Sequence, residues 1–167
     1  MSHHDENARE HHEALARLIE SFQTAMLVTD AGADGLVSRP MSPLGEEFDG
    51  SLWFATERDN ACVAQIKANP RVHVSFADPG NNDYISVSGR ATQVDDRAKV
   101  EELWNPALSA FFEGEDDPKL TLLRIDVDTA EYWDGPGTLL GKLAFFAKVA
   151  SGGDHGSMTD NAQVDLR

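Results

Sequence analysis

The spacing of apolar residues predicts a helix at residues 6–21 and strands after it. Apolar side chains first recur three and four positions apart among charged residues, at Ala14, Leu15, Leu18, Ile19 and Phe22. From residue 24 onward the period shortens towards two, which is the period of a strand with one buried face. The chain therefore begins with an amphipathic helix and continues as β structure.

Seven segments have the composition and alternation of strands. They are residues 24–29, 36–41, 51–56, 71–76, 83–94, 120–127 and 129–133. Turn clusters rich in Asp, Asn and Gly at 30–35 and 78–82 join neighbouring strands into two hairpins. Because strands follow one another without regular β-α-β alternation, we predict a mainly β (α+β) fold, a small antiparallel barrel with flanking helices.

Four shorter helices decorate this predicted barrel. Asn60 is a suitable N-cap for a helix that ends near Ala68, before Pro70. A further helix starts at Asp95 or Asp96 and runs through residue 104, and helical pieces are predicted at 107–112 and 138–149. We expect one domain over residues 1–150 and a polar tail over 151–167.

Charge and cysteine content limit the function classes. The chain has 167 residues, and its 29 acidic against 14 basic side chains give a formal charge of −15. So negative a protein is a poor partner for nucleic acid. The single cysteine excludes an internal disulfide framework and fits a reducing compartment. The sequence has neither an apolar signal-peptide core nor a membrane-spanning run, so we predict a cytoplasmic protein without a membrane partner.

Arg39 is the first candidate for binding chemistry. It lies within a predicted strand, beside Pro40, in a strongly acidic chain. A guanidinium binds oxyanions through its planar fork of N–H donors, so this residue suits an anionic ligand. The alternative is an ordinary surface salt bridge to one of the chain's many carboxylates.

Thr56 and Asn60 form a second candidate set. Thr56 ends a predicted strand, and Asn60 begins a helix whose free N–H groups and positive dipole end favour a phosphate. Asn60 has the alternative role of only capping its own helix. Together with Arg39, these residues supply a guanidinium, a hydroxyl and a helix N-terminus, the usual parts of a phosphate pocket.

Other motifs predict no further chemistry. The glycines of segment 135–141 are spaced one residue too far apart for a dinucleotide-binding loop and lack its β-α-β context. No carboxylate or cysteine completes a zinc site for the histidines near the N-terminus, so no metal is expected. Cys62 and His73 form no recognisable pair of nucleophile and base, so no catalytic residue is assigned.

The order and spacing of several segments resemble a known family. These segments are residues 37–41, 52–56, 69–72, 84–91, 102–104 and 130–133, within a match from about residue 15 to about residue 150. The tail at 161–166 also looks like the family's ending. The chain resembles the general stress protein 26 group of the pyridoxamine 5′-phosphate oxidase-like family.

This resemblance implies a split β-barrel homodimer with FMN in the groove between protomers. Carried over by position, Arg39, Pro40 and Met41 line the FMN site, with Arg39 on the phosphate or the ring edge. Thr56 contacts the phosphate region. Tyr84 and Ser86 lie on the strand beside the cofactor, and Trp133 flanks the flavin.

Two departures from the family pattern affect the expected function. Many relatives have serine and lysine where this chain has Asn60 and Cys62, so one cation near the phosphate is missing and FMN should bind less tightly. After Trp133 the chain has the sequence Asp-Gly-Pro-Gly, where the true oxidases have a segment that contains arginine and histidine. Oxidation of pyridoxamine 5′-phosphate is therefore not expected. Three hypotheses remain: an FMN-dependent oxidoreductase, a non-catalytic flavin-binding or sensing stress protein, and a cofactor-less split-barrel dimer.

Overall fold

The computed structural model describes residues 3–45, 47–134 and 160–165. Its helices are α1 (His3–Ser21), α2 (Ala61–Ala68) and α3 (Arg97–Leu103), with short 3-10 helices at Gly32–Asp34 and Pro106–Ala110. Its strands are β1 (Ala25–Asp30), β2 (Leu36–Met41), β3 (Ser51–Glu57), β4 (Arg71–Asp78), β5 (Asp83–Val94), β6 (Leu120–Asp134) and β7 (Asp160–Asp165). The helix predicted at 138–149 lies outside the described residues.

All seven strands form one antiparallel sheet, as predicted. The order is β2-β1-β4-β5-β6-β3, and β7 pairs with β6 beside this path. The two predicted hairpins are present as β1-β2 and β4-β5. The predicted mainly β, antiparallel fold with flanking helices is confirmed.

The prediction of two strands at 120–127 and 129–133 was wrong, because β6 is continuous. Ser88 pairs with Thr129 and Gly89 pairs with Val127, which leaves Asp128 as the extra residue of a β-bulge. A Cβ on Gly89 would collide with the backbone carbonyl of Asp126, so glycine permits the close approach at this irregularity. The bulge interrupts the alternation without ending the strand.

Part of the predicted polar tail also joins the sheet. Residues 160–165 pair with 129–134 of β6, and Val164 is buried in the main core. Because five of the six residues are not large apolar side chains, the sequence alone shows little strand pattern there.

The main core lies between one face of the sheet and the helices α1 and α2. Alternate strand residues such as Leu27, Val74 and Phe54 are fully buried, and the helices add Leu15 and Cys62. A second apolar cluster covers the opposite face of β3 and β6, where α3 and the 3-10 helix pack. No helix within the described ranges has the length and apolar composition needed to cross a membrane.

Candidate functional site

Arg39 lies on the core-facing side of β2 and reaches helix α2. In the β1-β2 register it stands opposite Leu27, so its side chain shares a face with Leu27 and Thr29. Arg39 Nη1 donates to Thr29 Oγ1 at 2.8 Å, and Nη2 donates to Gln65 Oε1 at 3.0 Å. The Thr29 hydroxyl in turn donates to Gln65 Oε1 at 2.6 Å.

Arg39 forms no salt bridge with a carboxylate among the residues that the structure describes, so the alternative role predicted for it is not observed there. Ion pairs there involve Arg58, Arg97, Lys99 and Arg124. The partners of Arg39 in this part of the chain are neutral, so no ion pair there offsets the charge of its half-buried guanidinium. The local positive charge of Arg39 is therefore available to an anionic ligand, although the net charge of the chain, −15, acts against anions in general.

Thr56, near the end of β3, and Asn60, the N-cap of α2, both adjoin the helix that holds Gln65, the partner of Arg39. The Asn60 side chain accepts from the backbone N–H of Cys62 at 3.0 Å, so the alternative reading of Asn60 as an N-cap is observed. Thr56 is buried beneath the same helix, with its Oγ1 4.0 Å from Cys62 Sγ. The three predicted phosphate-site residues therefore surround one short helix.

The other predicted site residues divide between the two faces of the sheet. Met41 stands opposite buried Ala25, on the side of Arg39. Pro40 and Ser86 lie on the opposite face of the sheet, which we call the outer face. Pro40 pairs with Met26, Met26 with Ser75, and Ser75 with Ser86, so the four side chains form one row across β2, β1, β4 and β5.

Tyr84 and Trp133 also lie on this outer face. Tyr84 is two residues before Ser86 on β5 and is paired with Trp133 on β6. Tyr84 is 38% exposed, whereas Trp133 is half-buried. One aromatic pair and one hydroxyl thus lie together, separated by the sheet from the side chain of Arg39.

His73 is a polar residue of this outer face that the sequence did not assign. Its Nε2 lies 2.9 Å from Ser86 Oγ, and burial lowers the pKa of its imidazole from the ordinary value. A cleft of about 270 Å³ opens next to it, lined in part by Arg71, Ser88 and Asp128. The predicted β4-β5 hairpin already placed His73 and Ser86 on neighbouring strands, but side-chain contact depended on the register.

The donors at Arg39 fit an anionic group such as the phosphate of FMN. A guanidinium has five N–H donors, and two of them are used by Thr29 and Gln65, so three remain. The second cation implied by the resemblance is missing, because a fully buried free cysteine, Cys62, stands at that position. An anion held here depends mainly on Arg39.

Comparison with known proteins places the chain in a family. A family model described as pyridoxamine 5′-phosphate oxidase like matches residues 10–157. Protein bli-3 of Neurospora crassa is 30% identical over 145 residues, which cover 80% of this chain and 69% of the relative.

Two solved structures give the same assignment. The general stress FMN/FAD binding protein from Xanthomonas citri is 36% identical with a TM-score of 0.68, and the alignment covers 78% of this chain and 93% of the other. General Stress Protein 26 from Bacillus anthracis is 31% identical with a TM-score of 0.63, over 70% and 88% of the two chains. The predicted resemblance and the split-barrel fold are confirmed, and the chain belongs to the pyridoxamine 5′-phosphate oxidase-like family, with general stress proteins among its relatives.

Proposed function

We propose that this chain binds FMN and acts as a cytoplasmic, FMN-dependent oxidoreductase. One observation carries the proposal: Arg39 is half-buried and retains three N–H donors, and no carboxylate in the described part of the chain pairs with it. A relative at 36% identity is described as FMN/FAD binding, which supports the choice of a flavin as the anionic ligand.

The chain's own residues have separate tasks in this proposal. Arg39 holds the anionic tail, and the α2 region with Thr56 and Asn60 shapes the surrounding pocket. The aromatic pair Tyr84 and Trp133 covers the flat ring, because large planar side chains exclude water and stack on conjugated systems. When bound, FMN supplies the electron transfer itself, while the protein supplies position and electrostatics.

A homodimer explains how residues on opposite faces of one sheet can serve one cofactor. Within one chain the sheet separates Arg39 from Tyr84, Ser86 and Trp133. In a symmetric pair, the outer face of one protomer can lie against the β2 edge of its partner and complete the groove. Met26 and Tyr84 are 39% and 38% exposed on that outer face, and contact with a second copy would bury both side chains.

A non-catalytic flavin-binding protein is the second candidate. It is favoured by Cys62, which stands where the family resemblance implies a lysine, because a missing charged hydrogen bond costs about 1.5–3 kcal/mol. Weaker binding by roughly one to two powers of ten would suit a protein that senses or stores flavin instead of turning over.

Anaerobic reduction distinguishes these functions. FMN is first titrated into the purified protein, and quenching of its fluorescence reports binding. NADH or NADPH is then added without oxygen, and bleaching of the flavin absorbance is followed. We expect quenching and bleaching by at least one donor. Quenching without bleaching by either donor would contradict the oxidoreductase and favour the second candidate, and no quenching would contradict both.

A further inference from the structure

The two acceptors of Arg39 form a closed ring of hydrogen bonds with it. Nη1 and Nη2 of the guanidinium donate to Thr29 Oγ1 and Gln65 Oε1, and these two oxygens are themselves joined at 2.6 Å. Two neighbouring oxygens facing two N–H groups reproduce the bidentate geometry in which arginine meets a carboxylate. Here, however, neither oxygen carries a formal charge.

Three other arginines of the chain behave differently. Arg58 pairs with Asp95 at 2.6 Å, Arg97 with Glu101 at 3.0 Å, and Arg124 with Asp126 at 3.0 Å. Carboxylates are abundant in this sequence, with 29 acidic residues in total. An arginine held by a hydroxyl and an amide is therefore an exception among the described arginine contacts.

We propose that Gln65 is a positioning residue, which together with Thr29 forms an uncharged clamp on Arg39. The clamp fixes the orientation of a long side chain that would otherwise lose rotamer freedom on binding. Because the clamp is neutral, the whole charge of the guanidinium is left for the anionic group of the ligand. This inference rests on the proposed function, in which that group is the phosphate of FMN.

The position of the clamp favours this role over a purely structural one. Thr29 is 1% exposed, so the hydroxyl is firmly placed by the core. Gln65 is in α2, five residues after the N-cap Asn60, and this separation corresponds to about 7.5 Å along the helix axis. Three N–H donors of Arg39 remain outside the ring.

Gln65→Glu is the most informative variant. Glutamate keeps the length and an acceptor oxygen, so the guanidinium stays in place, but the carboxylate neutralises its charge. We expect the Kd for FMN to rise roughly tenfold or more, while the Kd for riboflavin, which lacks the phosphate, stays unchanged. The thermal midpoint should not fall. Both affinities are measured by fluorescence quenching.

Ala64→Glu is the matched control, because it adds the same charge on the exposed side of the same helix. We expect less than a threefold change in its FMN affinity, since an exposed charge is screened by solvent and salt. An equal loss in both glutamate variants would show a long-range charge effect and overturn the clamp. Weaker riboflavin binding by Gln65→Glu would show a general structural role and overturn it as well.

Arg39→Ala separates this inference from the proposed function. If Arg39→Ala weakens FMN binding and Gln65→Glu does not, the clamp alone is wrong. If neither variant affects FMN binding, or if the unaltered protein does not bind FMN, the proposed site at Arg39 is wrong. The inference about Gln65 is then wrong as well, because it depends on that site. Gln65→Leu, which removes the acceptor oxygen without adding a negative charge, should weaken FMN binding less than Gln65→Glu.

Discussion

Replacing Arg39 with alanine should weaken FMN binding by roughly 10- to 100-fold. The substitution removes charge-assisted hydrogen bonds to the phosphate, each worth about 1.5–3 kcal/mol. No second cation is expected to compensate, because Cys62 stands at the position where the family resemblance implies a lysine. Fluorescence titration of the folded variant with FMN measures the loss, and its unfolding midpoint checks that the fold is intact.

Lys67→Ala is the control for this prediction. Lys67 is exposed in the last turn of α2, so its removal takes away one positive charge from the same helix without touching Arg39. We expect little change in FMN affinity, since exposed charges act weakly in water. Equal losses in Arg39→Ala and Lys67→Ala would mean that net charge governs binding, and Arg39 would lose its assigned role.

Replacing Phe54 with alanine should lower the free energy of unfolding by about 3–5 kcal/mol. Phe54 is fully buried in the main core, together with Cys62, Val63 and Ile66 of α2. Removing its ring leaves a cavity in the core that β3 and α2 share, so the clamp and the site around it should loosen together. Urea unfolding measures the loss of stability.

Phe111→Ala provides the matched comparison for Phe54→Ala. The same side chain is deleted, but Phe111 is 77% exposed, so little apolar contact is lost. We expect a change within about 0.5 kcal/mol. A loss at Phe54 as small as that at Phe111 would contradict the assignment of β3 and α2 to one tightly packed core.

The sequence predicted those parts of the fold whose signals are local. The turn clusters gave both hairpins, and Asn60 was correctly identified as an N-cap because its side chain acts on the helix immediately after it. Asp96, one of two proposed caps, accepts from the backbone N–H of Lys99. In each case the residues that decide the structure are neighbours in sequence.

Features that depend on distant strands could not be predicted in the same way. The bulge at Asp128 arises from the pairing of β6 with Gly89, and β7 depends on an available edge of β6. The alternation of apolar and polar residues within one segment shows neither which strand it pairs with nor in which register.

The candidate site shows the same limit. Arg39 was selected from its charge and its place in a strand, which are visible in the sequence. Its partners Thr29 and Gln65 lie 10 and 26 positions away, on a different strand and on a helix. The separation of Arg39 from Tyr84 and Trp133 by the sheet also required the register. Chemistry was therefore predictable by residue type, but its arrangement was not.

Native mass spectrometry of protein expressed with added riboflavin tests the central claim most directly. The claim is that two copies of the chain bind FMN through Arg39 in grooves that they form together. We predict the mass of two 18.2 kDa chains plus one FMN for each chain, with FMN released on denaturation. A single chain without flavin, unchanged by excess FMN, would contradict this account.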